Sequence, residues 1–298
     1  MKGDNLKGSV NIQNISTADK CQHELLVSQP TRIIRHLDLF SGIGGFALAA
    51  RNVWKERYRT IAFCEIEEFC HKVLKKNFGD NVLIVNDIKE LDGAGFDKVD
   101  LVTGGFPCQD ISAAGKRAGL NGKRSGLFFE MIRVIDESKP RFLIYENSSL
   151  VVGDMLKIIH GELRNLGYAN TGRIYTAREF GFPHKRERYY GISIAHSSGI
   201  GWNEVETELR KLEENRKASV YNTRQNRNAE FARTFSNALR APSNSDILRT
   251  FDGVPEELDR YRIKALGNAI VPEIAELILA AIKAVDDRQS QTLQTRSG

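Results

Sequence analysis

The chain has few cysteines, no long apolar segment and little net charge. Its four cysteines, among 298 residues, show neither the spacing of metal ligands nor that of a disulfide framework, so we expect reduced thiols and no metal centre. No segment is apolar over the length that crosses a membrane, and residues 1–30 lack the apolar region of a signal peptide. These absences argue against a secreted or membrane protein and predict a cytoplasmic one.

The charge is only mildly basic, with 43 Lys and Arg against 38 Asp and Glu. This excess suits an anionic partner but does not require one, because many proteins without a nucleic-acid role share it. The hydrophobic content of 41% is enough for a packed core, and the length allows one large domain with a smaller second region.

Apolar runs alternate with amphipathic segments up to about residue 194, which is the pattern of a doubly wound α/β sheet. In this part, helices are predicted over Glu68–Phe78, Gly126–Ser138 and Asp154–Leu166. From residue 195 the composition becomes polar, and a charged helical stretch is predicted around Glu204–Arg216. The mixture of polar residues that follows is compatible with nucleic-acid contacts and, equally, with a solvated linker. Two further helices are predicted over Leu258–Leu266 and Glu273–Ala284.

Cys108 differs from the other cysteines because it follows a proline just after an apolar run. The segment Gly104–Ser112 reads GGFPCQDIS, and Val99–Val102 precedes it. Ligands bind at strand ends of open α/β sheets, proline restricts the loop backbone, and a thiol becomes nucleophilic where its surroundings favour the thiolate. A lone cysteine is more often a packing residue, as we expect for Cys64 and Cys70, so the neighbouring motifs must decide.

A glycine turn, Ser41–Gly45, follows the first predicted strand and leads into a helix. Glycines allow a tight turn and close approach to a ligand, and a helix start offers unpaired amides. Glu65 ends the next strand about twenty residues later, the interval at which an acid can hold ribose hydroxyls. Asn86–Ile88 ends a third strand, where an adenine would fit. The turn lacks the third glycine of the dinucleotide fingerprint, which argues against a nicotinamide cofactor.

Four more segments complete an ordered series: Ser125–Glu130, Glu146-Asn147, Lys185–Arg188 and Gly267–Pro272. Glu146 directly follows the predicted strand Phe142–Tyr145. In this order the segments resemble the DNA cytosine-5 methyltransferase family, over residues 33–191 and 261–283. The resemblance implies a Rossmann-like, doubly wound sheet that binds S-adenosyl-L-methionine, with a small and mostly irregular target-recognition region. It also implies methyl transfer to carbon 5 of a cytosine flipped out of double-stranded DNA.

In that chemistry a nucleophile first adds to carbon 6 of cytosine. The resemblance gives this attack to Cys108 and makes Glu146 the acid at ring nitrogen 3, with a pKa raised by burial. It places Arg188 at the carbonyl edge of the cytosine and Arg186 at a phosphate or at the loop carrying Cys108, both on one face of a strand. Taken singly, Glu146 would be interpreted as a helix cap and the two arginines as a solvated basic strand.

The resemblance also implies a set of ligand contacts. For S-adenosyl-L-methionine they are Asp38, Phe40, Ser41, Gly42, Ile43, Gly44, Gly45, Glu65, Ile66, Asp87, Ile88, Pro107, Leu127, Asn268 and Ala269. For DNA they are Gln109, Ser112, Lys116, Arg117 and Asn147, and Asn147 is further expected to orient the loop. The glycine-rich, basic segment Ala113–Lys123 is expected to close over DNA. Asn268 has an equally good interpretation as a turn residue.

The resulting organisation is a flexible polar leader (1–30), a catalytic and cofactor-binding domain (31–194), a short recognition region (195–256), C-terminal helices (257–285) and a polar tail (286–298). Two positions depart from the family pattern: His184 stands where glutamine is usual, and Ser148 where valine is usual. A transfer RNA substrate and a catalytically silent nucleic-acid-binding module stay open as alternatives. A restriction endonuclease acting on the same DNA sequence, without a stable complex, is compatible with the family, and one site per chain makes a monomer sufficient.

Overall fold

The computed structural model of the chain describes residues 32–107, 126–182, 185–235, 261, 264–265 and 268–297. These residues contain a seven-stranded sheet with the order β3-β2-β1-β4-β5-β7-β6. Its strands are β1 Ile34–Leu39, β2 Tyr58–Cys64, β3 Ile84–Val85, β4 Leu101–Gly104, β5 Phe142–Ser148, β6 Tyr168–Thr176 and β7 Glu187–Ala195. The first five strands in the order are parallel, whereas β7 runs antiparallel to both β5 and β6. The predicted α/β sheet is confirmed.

The helices of the described residues flank this sheet. They are α1 Gly45–Trp54, α2 Glu68–Phe78, α3 Leu127–Ser138, α4 Asp154–Asn165, α5 Trp202–Phe235 and α6 Pro272–Ser297. Three of them agree with the predicted limits to within one residue at each end, because each carries a clear amphipathic period bounded by polar or turn residues. None of the described helices is long and apolar enough to span a membrane.

Alternation along the strands divides the core into two layers. Ile34, Phe142 and Ile144 face a cluster formed with α1, α5 and α6, whereas Leu37 and Leu143 face a cluster formed with α3 and α4. This alternation is the period of two that a strand imposes on its side chains. The sheet is therefore covered on both faces, and its carboxyl edge is left to hold a ligand.

Two predicted boundaries are wrong. The chain after Arg216, expected to be irregular, continues as helix α5 to Phe235, and earlier in that helix Val205 and Leu209 are buried against α6. Helix α6 passes its predicted end at Ala284 and runs to Ser297. Just beyond the predicted end, Asp286 is 2% exposed and paired with Arg141, a long-range contact that the polar composition of this segment does not indicate.

Several predicted features lie outside the described residues. They are the leader 1–30, the segment Ala113–Lys123, and most of the predicted helix Leu258–Leu266, of which Tyr261, Lys264 and Ala265 are described and helical. The proposed division of the chain into a catalytic domain and a recognition region stays a prediction.

Candidate active site

A cavity of about 720 Å³ lies at the carboxyl edge of the sheet, where the strand order reverses between β1 and β4. Its volume is in the range of small-molecule sites, and this reversal is the usual ligand position in open α/β sheets. The predicted site residues that line it are Phe40, Gly42, Glu65, Ile66, Asp87, Ile88, Pro107, Leu127, Glu146, Asn147, Arg186, Arg188 and Asn268. The sheet thus brings together residues that are more than 200 positions apart in the chain.

The turn after β1 forms one wall of the cavity. Gly42 and Gly44 both have positive φ, at 53° and 84°, and a Cβ at Gly44 would lie 2.7 Å from the ring of Phe78. Glycine is therefore required at position 44 for conformation and for space. Behind this wall, the hydroxyl of Ser41 donates to the carbonyl oxygen of Asp38 at 2.6 Å, which ties the turn to its strand.

Glu65 is held by two backbone amides at the end of β2. Gly42 N–H donates to its Oε2 at 2.6 Å and Glu67 N–H donates to its Oε1 at 2.8 Å. The carboxylate is nearly buried, yet each oxygen keeps acceptor capacity for one further donor. Next to it Ile66 is 62% exposed on the cavity wall, which is apolar surface that a flat ring could cover. This combination of a carboxylate acceptor and an apolar surface suits a ribose with an attached base.

Glu146 lies in the opposite wall of the cavity, and its position relative to strand β5 differs from the prediction. Strand β5 does not end at Tyr145 but continues to Ser148, so Glu146 lies within the strand and pairs with Tyr190 of β7. Its side chain is almost completely buried, and Arg188 Nε lies 2.9 Å from Oε1. Burial raises the pKa of Glu146, while Arg188 and Arg186 act in the lowering direction. The predicted upward direction is confirmed.

The contact between Glu146 and Arg188 is an ion pair, not a well-aligned hydrogen bond, because Oε1 has no partner of hydrogen-bond geometry among the described atoms. Arg186 and Arg188 both line the cavity, but only Arg188 lies in strand β7, because the strand begins at Glu187. Arg188 also donates from Nη1 to the carbonyl oxygen of Glu187 at 2.7 Å. Its guanidinium is therefore directed by two contacts from within the chain.

Asn147 connects this wall to the segment before Cys108. Its Nδ2 donates to the carbonyl oxygen of Phe106 at 3.1 Å, and its Oδ1 accepts from Ser148 N–H at 2.8 Å. Asn147 is 3% exposed, lines the cavity and has both ends of its amide bonded within the protein, and its expected DNA contact stays a prediction. The expected role in orienting the loop does fit, because Phe106 is two residues from Cys108.

Asp38 lies behind the cavity, not in its wall. It is fully buried in β1, and its Oδ1 accepts from the hydroxyl of Thr103 at 2.7 Å, which in turn contacts His36 Nε2 at 2.7 Å. Burial without a cationic partner raises the pKa of Asp38 to about 8 and lowers the pKa of His36 to about 3. A direct contact between Asp38 and a ligand in the cavity does not fit this position; its effect there is through the backbone of the turn.

A family model described as C-5 cytosine-specific DNA methylase matches residues 34–248 of this sequence. The chain belongs to that family. The Type II methyltransferase M1.ScrFI of Lactococcus lactis subsp. cremoris is 32% identical to it over 197 residues, which are 65% of this chain and 50% of that protein. M.HhaI of Haemophilus parahaemolyticus is 31% identical over 171 residues, 56% of this chain and 51% of that protein.

M.HpaII of Haemophilus parainfluenzae is 37% identical over 172 residues, 55% of this chain and 47% of that protein. The chain therefore spans about half the length of the curated relatives it matches. Among solved structures, a Spodoptera frugiperda DNMT2 variant superposes with a TM-score of 0.46 and 23% identity, over 54% of this chain and 50% of that one.

The remaining predicted residues of this methylase-family chain fall into two groups. Asp38, Ser41, Ile43, Gly44, Gly45 and Ala269 are not among the residues that line the cavity. Cys108, Gln109, Ser112, Lys116 and Arg117 lie outside the described residues, so their contacts stay predictions.

Sequence reasoning missed a second wall beside Glu65. Lys264 Nζ lies 2.6 Å from Glu67 Oε1, and the rings of Phe69 and Tyr261 stack at a centroid distance of 6.2 Å. All four side chains line the cavity. These pairs join positions almost 200 residues apart, so no local pattern marks them. Cys70, expected to be only a packing residue, is buried and also borders the cavity.

Proposed function

We propose that this chain is a DNA cytosine-5 methyltransferase, transferring a methyl group from S-adenosyl-L-methionine to carbon 5 of a cytosine flipped out of double-stranded DNA. The observation that carries the proposal is Glu146, a buried acid in the wall of a cavity that Gly105–Pro107 also line. Those three residues lead directly to Cys108. A protonatable acid close to a thiol-bearing loop supplies the two groups that addition to cytosine needs.

The other end of the cavity fits S-adenosyl-L-methionine. Glu65 has acceptor capacity for ribose hydroxyls, and Phe40, Ile66 and Ile88 offer apolar surface to an adenine. When bound, S-adenosyl-L-methionine supplies an electrophilic methyl group. Asp87 lies in the same wall, and its Oδ1 accepts from Lys89 N–H at 3.0 Å, which sets the direction of its carboxylate.

The chain's own residues then activate the cytosine. The Cys108 thiolate forms a bond to carbon 6, and the electron pair displaced from the ring is stabilised as Glu146 donates its proton to ring nitrogen 3. Carbon 5 becomes an enamine carbon that can take up the methyl group, with the neutral thioether S-adenosylhomocysteine as the leaving group. Loss of the carbon 5 proton to solvent water then expels the Cys108 thiolate and restores the ring, and the proton on nitrogen 3 returns to Glu146.

Two opposing effects suit Glu146 to this proton transfer. Burial raises its pKa, which favours the acid form, whereas the ion pair with Arg188 favours the carboxylate. An acid balanced in this way can give up its proton and recover it within one cycle. Arg188 lines the same cavity as Glu146, and the proposal places it against the carbonyl edge of the cytosine. The proposal places Arg186 at a phosphate or at the loop carrying Cys108.

The proposal extends to partners. The relatives named above are Type II methyltransferases, so we include protection of a DNA sequence against an endonuclease that acts on the same sequence without forming a stable complex. All the proposed catalytic residues belong to one chain, which makes a monomer sufficient as the active unit.

The test is methyl transfer from tritiated S-adenosyl-L-methionine to matched duplex DNA and transfer RNA. Wild-type protein should label DNA, and sequencing of DNA from a methylation-deficient host should show 5-methylcytosine in one short motif. Cys108→Ala should abolish labelling, and Glu146→Gln should reduce it by about 100-fold or more, the usual range for a lost acid–base group. Cys21→Ala, outside the motif segments, is the matched thiol control and should leave labelling unchanged.

Labelling of RNA alone would replace DNA by RNA as the substrate. Folded wild-type protein that binds S-adenosyl-L-methionine but labels neither nucleic acid would contradict the proposal and favour a silent binding module. Labelling that survives Cys108→Ala would refute the covalent mechanism.

A further inference from the structure

The guanidinium of Arg133 joins helix α3 to the turn that follows β3. Its Nη2 donates to the carbonyl oxygen of Ile88 at 2.8 Å, and its Nη1 donates to that of Leu91 at 2.9 Å. On the helix side, Nε donates to Glu130 at 2.8 Å and Nη1 donates to Glu137 at 2.8 Å. One planar side chain is thus bound to two backbone carbonyls and two carboxylates.

The turn is pressed closely against the helix at the same place. Gly93 N–H donates to Glu137 Oε2 at 2.9 Å, and a Cβ at Gly93 would lie 2.8 Å from the carbonyl oxygen of Val134. Ile88 and Leu91 are both buried in the apolar cluster that contains Val134. Because backbone, side chain and core contacts coincide, the position of the turn depends on α3.

This turn forms one end of the cavity. Asp87 and Ile88 line the cavity, and α3 itself contributes Leu127, whereas Arg133 does not touch it. The direction of the Asp87 carboxylate depends on the turn, because it bonds to Lys89 N–H. Small displacements of a wall residue weaken ligand binding even when the residue itself is unchanged.

We propose that Arg133 is a positioning residue, which holds Asp87 and Ile88 in place for the adenine end of S-adenosyl-L-methionine. This inference rests on the proposed function, because it takes the cavity to be the cofactor site. Arg133 would then contribute to the binding of that cofactor without contacting the cofactor itself.

The arrangement calls for arginine and not merely for a positive charge. Arg133, Glu130 and Glu137 are each about a third exposed, with side-chain exposures of 34%, 30% and 29%, so their ion pairs are screened by solvent. The two carbonyl oxygens need donors spread along a rigid fork. Lysine carries a single ammonium group on a flexible stem and cannot reproduce that geometry.

The test compares Arg133→Lys with Arg141→Lys. Arg141 is the matched control, because it pairs with Asp286 of α6 and does not line the cavity. Binding of S-adenosylhomocysteine by calorimetry should be about tenfold weaker in Arg133→Lys and unchanged in Arg141→Lys. Hydrogen exchange of ligand-free protein should be faster at the amides of Lys89–Leu91 in Arg133→Lys only.

An unchanged dissociation constant in Arg133→Lys would overturn the proposal. Equal weakening in Arg141→Lys would also overturn it, because the effect would then be general loosening. If wild-type protein bound no S-adenosylhomocysteine, the proposed function would fail together with the cofactor part of this inference. The hydrogen-exchange data would still test whether Arg133 holds the turn in place, and unaltered exchange at Lys89–Leu91 would refute that role.

Discussion

Gly191 lies where the ring of Tyr145 crosses β7, and replacing it with alanine should disturb the site next to it. The two residues are direct partners in the β5–β7 ladder. A Cβ on residue 191 would lie 2.0 Å from Cζ and 2.2 Å from Cε1 of Tyr145. Carbon atoms in contact prefer about 3.5–4.0 Å, so the ring must retreat by more than an ångström.

The ring of Tyr145 has little room for that retreat. It is 1% exposed and contacts the rings of Phe106 and Tyr189, each at a centroid distance of 6.0 Å. Overpacking of this kind costs about 1–3 kcal/mol, and we take the upper value because the neighbours are themselves buried rings. Alanine recovers about 0.5–1 kcal/mol that glycine loses in a strand, which leaves a net loss of about 2 kcal/mol.

Gly191→Ala should also impair methyl transfer beyond its effect on stability. Tyr145 precedes Glu146 in the strand, and Phe106 lies two residues before Cys108 in the chain, so a shifted ring should disturb both groups of the proposed chemistry. We expect at least about a tenfold loss of kcat/KM for DNA, which corresponds to about 1.4 kcal/mol.

The assay is urea denaturation together with tritium transfer, with Gly161→Ala as the control. Gly161 lies in helix α4 and a Cβ there would meet nothing within 4 Å, so alanine should stabilise by up to about 1 kcal/mol. A Gly191→Ala protein as stable and as active as wild type would refute the reasoning, because the ring of Tyr145 could not then lie against Gly191.

Three further predictions concern stability. Burial raises the pKa of Asp38 to about 8, so the folded protein retains a proton that the unfolded chain releases near pH 4. This contribution to the free energy of unfolding is complete below about pH 4 and is lost as pH rises through 8, at up to about 1.4 kcal/mol per pH unit. Urea unfolding at pH 6, 7 and 8 should show this slope in the wild type and not in Asp38→Asn. Arg141→Ala leaves Asp286 buried without its cation and should lower the free energy of unfolding by about 3–5 kcal/mol in the same assay, and a loss below about 1 kcal/mol would contradict the pairing. Thr176→Ala removes a capping box with Glu179 and should cost about 1 kcal/mol by thermal unfolding, whereas an unchanged midpoint would argue against the cap.

Local patterns were sufficient for several helices, for the glycine turn and for the order of the motifs. Helix Glu68–Phe78 was predicted to the residue, because its apolar period and its C-terminal glycine, Gly79, are written in adjacent positions. The glycine turn before α1 was predicted for a similar reason, since positive φ at Gly42 and Gly44 is a property of the residues themselves.

Contacts between distant segments could not be predicted in this way. Glu146 was expected just after its strand, but pairing with β7 extends the strand through it. Asp38 was expected at the ligand, but alternation along β1 turns its side chain toward Thr103. The bonds from Arg133 to Ile88 and Leu91 span more than forty residues and leave no periodic signal in the sequence.

The α/β alternation, the glycine turn and the ordered motifs that identify the family can be predicted from the sequence alone, because each depends on residues that are neighbours along the chain. Which side chains reach the cavity, and how they meet there, depends on the fold: Glu146 pairs with Arg188, Asn147 bonds to Phe106 from the cavity wall, and Asp38 lies behind that wall. Strand register and core packing set the direction of a side chain, and both depend on pairings between residues far apart in sequence.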